Sequence, residues 1–115
     1  MLIHAGNTYL AKNGQYVTVS LRDGAWWRGS SEHVSCLFWS NDGQCQVDRS
    51  FDILVSRKRV KDLAFRVQSI AQSASIRFDM ALLVEVVVEV AFGDNHLDIP
   101  AIRDAILAEM QKQHP

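Results

Sequence analysis

The chain has 115 residues, 48% of them hydrophobic and 22% charged, which is enough for one hydrophobic core and too little for two comfortable domains. A formal charge of −1 gives no overall pull toward nucleic acid or an anionic membrane, so any such binding needs a local patch. Met1 to Asn7 lacks the basic-then-apolar pattern of a secretory leader, and no run of about 18 apolar residues occurs, so a cytoplasmic protein without a membrane segment is expected.

From Tyr9 to about Ser56 the hydrophobic period is two, and glycine is the punctuation. Tyr16 to Leu21 alternates, with Val17, Val19 and Leu21 on one face and Tyr16, Thr18 and Ser20 on the other, the pattern of a half-buried strand. Asn13-Gly14 and Asp23-Gly24 bound it, and both dipeptides supply the positive φ of a tight hairpin turn, so the flanking segments pair as a meander. Ala25 to Gly29 follows, then a polar break at Ser30-Ser31-Glu32, then a strand from His33 to Trp39. The turn Asn41-Asp42-Gly43 sends Gln44 to Val47 back, and an extended piece from Phe51 to Val55 closes the series.

Near Ser56 the period changes to 3.6. Val60, Leu63, Ala64, Val67, Ile70, Ala71 and Ala74 recur at helical spacing, with Lys58, Arg59, Lys61, Asp62, Arg66 and Gln68 on the remaining surface. A helix is predicted from Arg57 to about Ser73, ended by Ser73-Ala74-Ser75. Met80 to Phe92 is apolar apart from Glu85 and Glu89, whose spacing of four fits one helix face and equally two strand periods. Its β-branched residues favour a strand. Its length, Asp79 as N-cap and Gly93 as the residue past the C-terminus favour a buried helix, which is the expectation taken here. Asp98 before Ile99-Pro100 starts the last helix, with Ile102, Ala105, Ile106 and Met110 inside and Arg103, Asp104, Glu109 and Lys112 outside.

The expected fold class is therefore α+β in a single domain spanning 1–115. Its first half (1–56) is an antiparallel β-meander of about five short strands, packed against two or three C-terminal helices (57–115).

The first half also resembles a short β module of small uncharacterised proteins of phages and prophages. In that module an aromatic opens a strand that ends in Asn/Asp-Gly, a second strand follows, and Trp-x-x-Asp/Asn-Gly and an Asp-Leu-Val-like segment come later. The matching residues are Tyr9 with Asn13-Gly14, Tyr16 to Leu21, Trp39 with Asp42-Gly43, and Asp52-Ile53-Leu54-Val55. The resemblance implies a mobile-element accessory protein rather than a particular activity.

The chemistry-bearing residues form no strong catalytic or metal signature. There is no CxxC, HExxH, G-x-S-x-G or glycine-rich phosphate loop, so neither a metal, a cofactor nor an enzymatic reaction is expected. Zinc would have to draw on His4, His33, Cys36, Cys45, His96 and His114, and His33 and Cys36 point to opposite faces of a regular strand. Cys36 and Cys45 flank a turn but are expected to be free thiols in a reducing compartment. Glu85 and Glu89 are expected to mark a solvent- or partner-facing stripe rather than an acid–base pair.

Two surfaces stand out. Trp26-Trp27 sits on a strand, where neighbours face opposite sides, so one indole packs under the helices and the other lies on the open face, with Arg28 beside it. That points to a protein partner or self-association, with Trp26, Trp27 and Arg28 as contact residues. The second is the basic start of the first helix, Arg57, Lys58, Arg59, Lys61 and Arg66, which offers phosphate contacts to nucleic acid as the alternative function.

Overall fold

In the computed structural model, which describes residues 3–74, 79–93 and 97–113, a five-stranded antiparallel sheet precedes three helices. The strands are β1 (Thr8–Ala11), β2 (Tyr16–Asp23), β3 (Trp26–Ser31), β4 (Leu37–Trp39) and β5 (Ile53–Ser56). The first four form the expected meander, and Gly14 and Gly24 turn it with positive φ of 83° and 62°. β5 then returns to the free side of β1, so the sheet order is β4-β3-β2-β1-β5. A 3-10 turn at Arg49–Phe51 feeds β5, capped by the Asp48 side chain on Ser50 N–H.

Several boundaries differ from expectation. Ser30-Ser31 is not a break, because both residues continue β3 opposite Thr18 and Val17. The next strand shortens to Leu37–Trp39, and Gln44–Val47 contributes only an isolated bridge, Trp39 to Cys45. That register sets Cys45 opposite Trp39 rather than Cys36, and both thiols are free. Cys45 and Asp52 interlock beneath the sheet, where the Cys45 N–H donates to Asp52 Oδ1 at 2.7 Å and Arg49 Nε donates to Oδ2 at 2.9 Å.

The sheet carries a core on each face. One holds Tyr9, Ala11, Val17, Val19, Leu37, Trp39, Cys45, Phe51 and Ile53, and is closed by the segment before β5. The other starts from Leu10, the side chain between Tyr9 and Ala11 that alternation sends the opposite way, and is covered by helices α1 (Arg57–Ser73), α2 (Met80–Phe92) and α3 (Ile99–Gln113). β1 therefore joins the two halves, its alternate side chains serving both cores.

α1 begins at Ser56, whose hydroxyl accepts from the Arg59 N–H, and buries Val60, Leu63, Ala64 and Val67. Gln68, assigned to the surface from sequence, is buried instead and donates from Nε2 to the Met110 carbonyl at 3.1 Å. Ser75 lies outside the described residues.

The segment 80–92 is a helix. Asp79 accepts from the N–H groups of Ala81 and Leu82, and Gly93, at φ 70°, ends it with its N–H on the Glu89 carbonyl. It is not a buried helix, however. Val84 and Val88 alone are fully buried, while Leu82, Val86 and Val90 are exposed, because α2 is covered chiefly on the side that faces α3. Val88→Ala is therefore expected to cost about 1–3 kcal/mol, whereas Val90→Lys should change stability by less than about 0.5 kcal/mol. Urea unfolding of both variants checks this, and equal losses would contradict the one-sided packing.

Candidate functional site

β2 contains a bulge, and it decides what the sheet displays. Val19 pairs with Gly29, but the next pairing is Leu21 with Arg28, so Ser20 is the extra residue. Simple alternation puts Leu21 inside with Val17 and Val19; the bulge turns it outward, 44% exposed. Leu21, Arg28 and Phe38 then lie directly opposite one another across β2, β3 and β4. The Arg28 guanidinium sits 5.9 Å from the centre of the Phe38 ring, within cation–π range. Trp26, two residues from Arg28 on the same side of β3, is 38% exposed at the hairpin tip.

Trp27 faces the other way. It packs against the core that contains Trp39, and its Nε1–H donates to Asn41 Oδ1 at 3.0 Å. The same oxygen accepts from Arg22 Nη1 at 2.8 Å, and the Arg22 guanidinium lies 4.9 Å from the centre of the Trp27 ring. Arg22 Nε also donates to the Gly24 carbonyl at 2.9 Å. Thus neither tryptophan packs under the helices. Trp27 is part of the clamp that holds the β2–β3 hairpin to the Asn41-Asp42-Gly43 turn, and Trp26 is displayed by it. Leu21, Phe38 and Asn41 were not singled out from sequence, because their roles depend on cross-strand register; the Asp23-Gly24 turn was the available signal.

The basic start of α1 is not one strip. Arg57, Lys58 and Lys61 line a depression against the chain segment entering β1, whereas Arg59 and Arg66 line another, with Asp62 and Phe65 between them. Arg57 is also held from behind. Its Nε donates to Glu109 Oε1 at 3.2 Å, and its guanidinium lies 5.2 Å from the centre of the Tyr16 ring.

Glu109, expected outside, is 1% exposed. Its Oε1 also accepts from the Tyr16 hydroxyl at 3.1 Å and lies 3.6 Å from Lys112 Nζ. Burial works to raise the Glu109 carboxyl, but the Tyr16 hydrogen bond and the charges of Lys112 and Arg57 together hold it below the ordinary carboxylate range. The Tyr16 phenol is pushed well above its usual value, first by burial and then by the Glu109 charge and hydrogen bond. This cluster joins β2, α1 and α3, and every member has a partner. It is a structural junction between the halves.

Glu85 and Glu89 do not share a site. Glu85 accepts from Arg103 Nη1 at 2.7 Å, and Glu89 is exposed. Among the described residues no three His, Cys, Asp or Glu side chains form a metal-holding group, and His96 and His114 lie outside those residues. Among the same residues no helix is long and apolar enough to cross a membrane. Comparison with protein-family models, with curated proteins and with solved structures finds no match to this chain.

Proposed function

We propose that the protein is a mobile-element accessory protein that acts by binding another protein through the β2–β3–β4 end of its sheet, on the helix-bearing face but beyond the helices, which pack on β1 and β5. The observation that carries this is the row Leu21–Arg28–Phe38 with Trp26 at its end. An exposed tryptophan beside an arginine is the composition of an interface anchor, and the Asn41 clamp fixes the hairpin in advance, which reduces the ordering cost of association. The partner surface that fits offers an apolar recess for the Trp26 indole and a carboxylate for Arg28. Self-association is the other form of the same reading, with the Leu82–Val86–Val90 ridge on α2 as its surface, since residues four apart form the ridges by which helices interdigitate. The nucleic-acid alternative fits the geometry less well, because its five cations fall into two separate depressions.

Trp26→Ala and Arg28→Ala should each weaken the partner complex about tenfold or more while leaving the melting temperature within about 2 °C of the parent. Light scattering after size exclusion, together with Val86→Asp, separates the self-associating form. A strict monomer that captures no protein from extract sinks both forms.

A further inference from the structure

Between the chain segment that enters β1 and the first two turns of α1 lies a depression of about 550 Å³. That is within the size range of small-ligand sites. Arg57, Lys58 and Lys61 contribute positive charge to its wall, and His4, Asn7, Thr8 and Ser56 contribute polar groups; among the described residues no Asp or Glu lines it. Arg57 is tied to Glu109 on its inner side, but Lys58 is exposed and has no ion-pair partner among the described residues. The first turn of α1 carries no acidic residue. Concentrating cations at the positive end of a helix dipole is unfavourable by a few tenths of a kcal/mol each, and an anion bound between them reverses that sign.

We propose that this depression is a binding site for a phosphate-bearing ligand, separate from the Leu21–Arg28–Phe38 row. The site is built from side chains of β1, β5 and α1 and of the segment that precedes β1. Lys58 supplies the main charge, Lys61 adds to the positive wall, and the Asn7 amide lines the same depression beside the hydroxyls of Thr8, which bonds Thr18 Oγ1, and of Ser56, which accepts from the Arg59 N–H. Two sources share this chemistry, a free phosphorylated small molecule and a phosphate of a polynucleotide, and the test distinguishes them.

The test is a two-dimensional amide NMR titration of the full chain with inorganic pyrophosphate, and separately with a short single-stranded oligonucleotide, against chloride at matched ionic strength. The expected result is saturable shifts confined to Gly6–Thr8 and Arg57–Lys61, with Lys58→Glu weakening binding tenfold or more at unchanged melting temperature. Similar affinity for both probes assigns a free phosphate ligand. Tighter oligonucleotide binding with a steep salt dependence assigns a polynucleotide phosphate, and both outcomes uphold the site. Shifts that do not saturate, that spread equally to Arg22, Arg28 and Arg66, or that persist unchanged in Lys58→Glu overturn it.

Discussion

Replacing Gly29 by alanine is expected to lower stability by about 3 kcal/mol, and the melting temperature by about 10 °C or more. Gly29 sits at the middle of β3, between Val19 of β2 and Leu37 of β4. A Cβ there runs into the Thr18 carbonyl oxygen and comes within 2.9 Å of the Trp39 ring. The obstruction on one side is backbone in a paired strand, so it cannot give way as the end of a flexible side chain would. On the other side Trp39 is fully buried and is anchored by its Nε1–H on the Phe51 carbonyl at 2.9 Å. To make room the indole must leave that acceptor, and a buried indole N–H without a partner is costly. The predicted signature is thus twofold: a lower denaturation midpoint, and a change in near-ultraviolet circular dichroism from Trp39. Valine at the same position should be worse. A Gly29→Ala protein with parental stability and an unchanged aromatic spectrum would show that the Trp39 ring does not lie over Gly29.

Local signals in the sequence reached most of the architecture. Period two, the Asn/Asp-Gly turns and the change of period near Ser56 located the meander and the start of α1, and Asp79 with Gly93 marked both ends of α2. What they could not reach were features set by partners far along the chain. The bulge at Ser20 is one, since it is defined by the Leu21–Arg28 pairing and has no marker such as glycine in its own strand. The exposed side of α2 is another: apolar periodicity says that a face is apolar, and only the placement of α3 decides which part is covered. Of the candidate site, Trp26 and Arg28 were legible as an aromatic and a cation next to a turn. Trp27 was placed with them because adjacency in sequence says nothing of which core each indole meets, and Leu21 and Phe38 became part of the face only through register.

Glu109 shows the same limit, and its replacement is the second large effect expected. Helical spacing places it three residues after Ile106, on the margin of the buried stripe, where a charged residue without a visible partner is assigned to solvent. Its hydrogen-bonding partners are 93 and 52 residues away, Tyr16 and Arg57. The one local hint was an arginine at the unfavourable end of a helix, which calls for an acidic neighbour from elsewhere. Glu109→Ala removes the acceptor shared by Tyr16, Arg57 and Lys112 and is expected to cost about 2–3 kcal/mol. The figure sits at or below the low end for a broken buried pair because Arg57 is more than a third exposed, so solvent takes up part of its charge. Combining Glu109→Leu with Tyr16→Phe and Arg57→Met should recover much of that loss, since no polar group of the original trio is then left without a partner. The pH dependence has a definite sign at each end. Glu109 titrates lower in the folded chain than in the unfolded one, so its contribution is complete above the unfolded value and is lost as pH falls through the folded value. Tyr16 titrates higher when folded, so its contribution is complete below the unfolded value of about 10 and declines as pH rises beyond it. Urea midpoints measured from acid to alkaline pH should therefore show a shallower acid limb in Glu109→Gln and a shallower alkaline limb in Tyr16→Phe. Parallel curves for parent and variants would mean that the junction between sheet and helices does not depend on this carboxylate.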